Sequence, residues 1–164
     1  MPTRSESEMA RLIDGVRLAQ ADGVHVGQDE LTVRDARAVV DPRSLVGVST
    51  HSIVQARQAV LDGANYIGVG PTFSSQTKQF EEFAGIGLLR QVAAEIRLPA
   101  FAIGGIDETN LPAVLATGIQ RIAVSAAIVG AADPTTAAQR FLTAVSGHSR
   151  VTQCMNEESQ NPAQ

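Results

Sequence analysis

The chain has a single cysteine, no run of basic residues and no long apolar stretch. Each absence closes a class of function. Cys154 has no partner within the chain, so an internal disulfide is excluded and a reducing compartment fits. The formal net charge is −4, and basic residues neither cluster nor interleave with aromatics, which argues against a nucleic-acid or acidic-membrane partner. The N-terminus, MPTRSESEMARL, lacks an apolar core and carries two glutamates, unlike a signal peptide. No apolar run approaches the ~18 residues of a membrane helix. A cytoplasmic protein is expected, and these exclusions leave room for a small anionic ligand held by local donors.

What is present is a repeated unit of strand then helix. Three windows align, Gln20–Gly27 (QADGVHVG), Gly63–Gly70 (GANYIGVG) and Gly118–Ser125 (GIQRIAVS), each entering a β-rich strand through the same turn. Two further apolar runs, Leu45–Val48 and Pro99–Ile103, bring the strands to five, and helices are predicted over 32–40, 52–62, 85–96, 110–117 and 134–145. Strict alternation predicts a parallel sheet. Thr32 with Asp35 and Ser52 with Gln55 have capping-box spacing, and Asp133-Pro134 places a cap before a first-turn proline. Gly63 and Gly118 fall where helix C-caps belong. Residues 1–20 read as a partly helical N-terminal extension, 21–146 as the folded domain, and 147–164, without periodicity, as a disordered tail. At 164 residues and 44% apolar the chain can bury a core, yet a full (β/α)8 barrel takes roughly 250 residues, about 200 at the short end.

In parallel βα architectures the loops after the strand C-termini form the ligand face. The most telling is YIGVGPTFSSQTK, Tyr66 to Lys78, where an uncharged strand runs into glycines, hydroxyls and one lysine. Thr72, Ser74, Ser75 and Thr77 offer hydroxyl and amide donors, and Lys78 a mobile positive charge. Residues 73–84 are the one long connection between units, a length suited to a lid or binding loop. Gly104-Gly105 and Ser125 sit on neighbouring strand ends, where barrels bind phosphate through backbone N–H groups. Asp29 and Glu30 suit a Mg²⁺ ion shared with a ligand's phosphates, or equally an acidic helix start favoured by the macrodipole. Ser49 reads as a ligand donor or an auxiliary cap, and His51 as a general base or a structural histidine at a strand–helix junction.

ADGVHVGQDE, GVSTHS, YIGVGPTFSSQTK, AIGGI and AVSAAI stand in the order and spacing of the thiamine-phosphate synthase family, which the chain resembles over about residues 21–146. The resemblance implies a (β/α)8 TIM-barrel type, here about five βα units forming an open or incomplete barrel. It implies a transferase that joins hydroxymethylpyrimidine pyrophosphate to thiazole phosphate with Mg²⁺, releasing pyrophosphate. Carried over by position, Ser49 would reach the pyrimidine and Lys78 the pyrophosphate. Ser75, Gln76 and Thr77 would hold the thiazole phosphate with Gly105, Val124 and Ser125. Glu30, with Asp29 as the alternative, would bind Mg²⁺. The family's upstream Gln-x-Arg-Glu-Lys clamp and Asn-Asp pair have no counterpart in residues 1–20, where Asp14 is the nearest remnant. Low activity of these residues alone and self-association through open sheet edges are therefore expected. A non-catalytic thiazole-phosphate-binding remnant and a thiazole tautomerase-like isomerase centred on His51 are the alternatives.

Overall fold

The computed structural model describes residues 11, 14–16, 18–74 and 84–160, with side chains through 148. Five parallel strands, β1 (Gly23–Val26), β2 (Leu45–Thr50), β3 (Tyr66–Val69), β4 (Ala100–Ile103) and β5 (Arg121–Ala123), lie side by side in chain order. Helices α1 (Val33–Val39), α2 (Ile53–Leu61), α3 (Gly85–Glu95) and α4 (Leu111–Leu115) connect them. A short α5 (Ala126–Val129) and a long α6 (Pro134–Gln160) follow β5. Right-handed crossovers between sequential parallel strands put the helices on one side of the sheet.

The strand alternation sorts residues accordingly. Val26, Val46, Val48, Ile67, Val69 and Ala102 are buried against the helices, together with Leu89 and Val92 of α3 and Val114 of α4. The opposite face carries His25, Ser49, Tyr66, Phe101, Ile103 and Arg121, aligned by a register that pairs His25 with Gly47, Gly47 with Tyr66 and Phe101 with Arg121. No described helix covers it, and Leu45 and Ile103 remain 49% and 44% exposed. Buried on the helix side and bare on the other, this sheet has the inside of a barrel open to solvent. On β3, Ile67, Gly68 and Val69 are buried and Tyr66 is half-buried.

The caps form as the spacing predicts. Thr32 Oγ1 accepts from Asp35 N at 3.1 Å and Ser52 Oγ from Gln55 N at 3.2 Å. The return bond of the second box shifts by one residue, since Gln55 Oε1 accepts from His51 N at 2.6 Å. Asp133 Oδ1 accepts from the N–H groups of Thr135 and Thr136 at the start of α6. Hydrogen bonding to the Thr136 hydroxyl, then to backbone N–H groups, holds its carboxyl below the usual range. Gly63 and Gly118 take the left-handed conformation, φ +82° and +93°, just past α2 and α4.

Two expectations need correction. α5 has no counterpart in the sequence reading, its four residues being too few to show a period. The last helix does not stop near 145: it continues to Gln160, through most of the stretch read as a disordered tail. Extending a formed helix needs no new nucleus, and no proline interrupts until Pro162.

Candidate active site

The C-terminal ends of the strands open onto a cavity of about 840 Å³ on the bare face, lined by residues that include Asp29, Glu30, Ser49, Gly105, Val124 and Ser125. These six expected ligand residues are thus brought to one place, whereas Thr72 and Ser74 do not line the cavity, and the buried Thr72 hydroxyl donates instead to Ile103 O at 3.1 Å. Ser75, Gln76, Thr77 and Lys78 lie outside the described residues. The segment before them, up to Ser74, is described. Thr72 N donates to Ile103 O at 2.9 Å and Phe73 N to Gly104 O at 3.0 Å, so the loop after β3 runs along the end of β4. That contact requires glycine. A Cβ on Gly105, whose φ is +61°, would lie 2.4 Å from Ser74 O and 2.8 Å from Phe73 O.

The β4–α4 loop is held rigid by its own polar groups. Asp107 Oδ1 accepts from Thr109 Oγ1 at 2.6 Å, Thr109 N at 2.9 Å and Asn110 N at 3.0 Å, while Asn110 Nδ2 donates to Gly105 O at 2.9 Å. The Thr109 hydroxyl, followed by the Asn110 N–H, keeps the Asp107 carboxyl below the usual carboxylate range. Across the gap, Ser125 heads α5 without making a side-chain cap bond, and its carbonyl accepts from Ile128 N and Val129 N at 2.9 Å. Its hydroxyl is therefore uncommitted to the helix.

The β1–β2 side is organised by side chains. His25 Nε2 lies 3.0 Å from Ser49 Oγ and Nδ1 3.2 Å from the Tyr66 hydroxyl. Gly47 makes this reach feasible, because a Cβ there would fall 2.1 Å from the Tyr66 ring. Burial lowers the imidazole pKa from its ordinary 6.5, and the Glu30 charge opposes that shift in part. Gln28 Nε2 donates to Ser49 O at 2.5 Å, fixing the backbone of the same serine. The sequence reading overlooked His25 and Tyr66, and gave Gln28 no role. Only the cross-strand register reveals that His25, Ser49 and Tyr66 converge.

His51 lines the cavity, with Nδ1 2.5 Å from Gly70 O. A carbonyl only accepts, so Nδ1 carries the proton and ties the end of β2 to the end of β3, the structural alternative for this histidine. Glu30 Oε2 accepts from Gly27 N at 2.6 Å, closing the turn after β1. With Asp29 beside it, the pair fits a hard cation that takes its other oxygens from a ligand. No group of three metal-ligating side chains occurs among the described residues, so a self-contained metal cage does not fit.

The sequence comparisons and one solved structure point to the same family. The profile described as "Thiamine monophosphate synthase" matches residues 12–128. A thiamine-phosphate synthase of Gloeobacter violaceus is 52% identical over 114 residues, 70% of this chain and 33% of that protein. One from a Mycobacterium species is 47% identical over 124 residues, 75% of this chain and 55% of that one. Among solved structures, thiamine phosphate pyrophosphorylase from Pyrococcus furiosus aligns with a TM-score of 0.75 and 31% identity, over 83% of this chain and 65% of that one. The chain spans about a third of the length of the first curated relatives it matches. Its sheet is accordingly TIM-barrel-like, five successive βα units with their strand ends turned to one cavity. With the matched profile covering 12–128 and the relatives so close in sequence, the chain belongs to the thiamine monophosphate synthase family.

Proposed function

We propose that this chain contributes the thiazole-phosphate side of a thiamine-phosphate synthase site, where hydroxymethylpyrimidine pyrophosphate is joined to thiazole phosphate with loss of pyrophosphate. The observation that carries the reading is the close pairing of the β3 and β4 loops beside Ser125. It sets Gly105, Val124 and Ser125 around one space, beside the described start of the loop whose sequence goes on to Ser75, Gln76, Thr77 and Lys78. Backbone N–H groups there suit a phosphate, being donors that cannot move away.

In this reading Ser49 donates to the pyrimidine, and Lys78 meets the pyrophosphate as it departs. Ionisation of the pyrimidine-CH₂–O bond leaves a resonance-stabilised cation that the thiazole nitrogen attacks. The residues' task is to hold the two substrates in line and stabilise the departing anion. Glu30 or Asp29 would hold Mg²⁺, which would supply positive charge to offset that of the departing anion. No arginine or lysine among the described residues lines the cavity, and its wall opposite the sheet is open to water. Both features weaken leaving-group stabilisation, so turnover by these residues alone is slow. The bare face, with Leu45, Tyr66, Phe101 and Ile103, and the edge strands β1 and β5 favour self-association. The setting is cytoplasmic. No described helix is long and apolar enough to cross a membrane.

Titration calorimetry with thiazole phosphate tests the reading. Binding to the parent chain and its loss in Ser125→Asp, whose added charge repels phosphate, are expected. Equal heats for the two proteins would refute it.

A further inference from the structure

We propose that His25, held in one tautomer by Tyr66, is a positioning residue that turns the Ser49 hydroxyl toward the cavity. The claim rests on the reading of Ser49 as a pyrimidine donor and adds what sets that donor's direction.

The imidazole bridges two hydroxyls, 3.2 Å from Tyr66 on β3 and 3.0 Å from Ser49 on β2. A neutral imidazole has one N–H and one lone pair, so it donates to one hydroxyl and accepts from the other. The arrangement therefore has two settings. In the first, Tyr66 donates to Nδ1 and Nε2–H donates to Ser49 Oγ. In the second, Nδ1–H donates to Tyr66 and Ser49 donates to Nε2. A phenol is a more acidic and hence stronger hydrogen-bond donor than an aliphatic alcohol, which favours the first. In that setting Ser49 Oγ accepts from the ring and its own proton remains available to a ligand. In the second that proton is spent on His25.

Three further features fix the arrangement. Tyr66 is wedged by an edge-on contact with Phe101, ring centroids 5.7 Å apart, and lies over Gly47, where no side chain competes for the space. A Cβ on Gly68 would lie 3.6 Å from His25 Cε1, so the ring rests against a flat stretch of strand. Gln28 anchors the Ser49 carbonyl, so the hydroxyl rotor is the main remaining freedom of that residue. Among the described residues Glu30 is the charged group whose field reaches the ring, and burial still favours the neutral form.

The tautomer can be read without any ligand, by long-range ¹H–¹⁵N spectra of the ¹⁵N-histidine-labelled chain near neutral pH. We expect a protonated Nε2 and a bare Nδ1 for His25, with the preference reduced in Tyr66→Phe. A protonated Nδ1 in the parent chain overturns the proposal, whatever Ser49 does. The functional arm is calorimetry with hydroxymethylpyrimidine pyrophosphate and Mg²⁺. His25→Leu should weaken binding about tenfold, the scale of one lost hydrogen bond. His25→Gln, which keeps an N–H donor near the Nε2 position, should recover most of it. Neither should change binding of thiazole phosphate, which also reports that the variants are folded. In a Ser49→Ala background His25→Leu should add nothing; an undiminished loss there would show that His25 acts independently of Ser49 and would overturn the proposal. If Ser49→Ala alone leaves pyrimidine binding unchanged, the underlying reading of Ser49 fails and the functional claim with it, and the tautomer measurement tells the two failures apart.

Discussion

The two faces of the sheet do opposite jobs with the same five strands. On the helix side, Val46, Ile67, Val69 and Ala102 are completely or almost completely buried, and burial of that apolar surface stabilises the fold. On the other side His25, Ser49, Tyr66, Phe101 and Arg121 keep polar atoms and ring edges in reach of solvent or ligand. Because side chains alternate along a strand, one residue decides which job a position takes: Ile67 is core, and its neighbours Tyr66 and Gly68 face the cavity side. Stability and chemistry are thus separable here, and substitutions can be chosen to move one without the other.

The sharpest contrast is between Ile67 and Phe101. Ile67→Ala removes a fully buried side chain at the centre of the helix-side core and should cost about 2–5 kcal/mol, read as a fall in the urea midpoint. Thiazole-phosphate binding by the fraction still folded should be unchanged. Gly105→Ala should cost less, about 1–2 kcal/mol for the left-handed backbone plus the clash with Ser74 O, yet abolish detectable phosphate binding in calorimetry. Smaller again, Phe101→Ala on the bare face should cost about 1 kcal/mol, mainly through the edge-on contact with Tyr66. That value applies to the monomer at low concentration; a loss as large as that at Ile67 which grows with protein concentration would show the bare face covered by the proposed self-association.

The smallest effect is that of pH, and its sign is fixed by His25. Its pKa in the fold lies below the ordinary 6.5, so the folded state binds this proton less readily than the unfolded chain. The contribution is complete above pH 6.5 and fades as the pH falls through the folded value. The Asp107 carboxyl, lowered by its loop hydrogen bonds, contributes above its ordinary 3.8 and is lost further into acid. Between pH 7 and 5 the parent chain should therefore lose slightly more stability than His25→Gln, measured by urea midpoints. Equal losses would show that the ring is not shielded.

Much of this organisation is legible in the sequence, for definite reasons. The run Tyr66–Val69 leads into Gly-Pro-Thr, and Gly104-Gly105 marks backbone that adopts positive φ, so the loops after β3 and β4 announce themselves through their residue types. Thr32 and Ser52 locate helix starts because capping is a local bond between neighbours. What the sequence hides is whatever depends on pairing between distant strands. His25, Ser49 and Tyr66 are 41 residues apart at the extremes and meet only through the β1–β2–β3 register. The extent of α6 is equally hidden, since its last turns carry no apolar period and continue by propagation alone.

The division of labour between the faces can be mapped in one measurement, a ¹H–¹⁵N titration of the labelled chain with thiazole phosphate. The account predicts that the amides of Gly104, Gly105, Val124, Ser125 and Ala126 shift together and saturate, while those of α1, α2 and the N-terminal strand ends stay in place. Shifts concentrated at the N-terminal ends of the strands or on the helix side, with Gly105 and Ser125 unmoved, would contradict it.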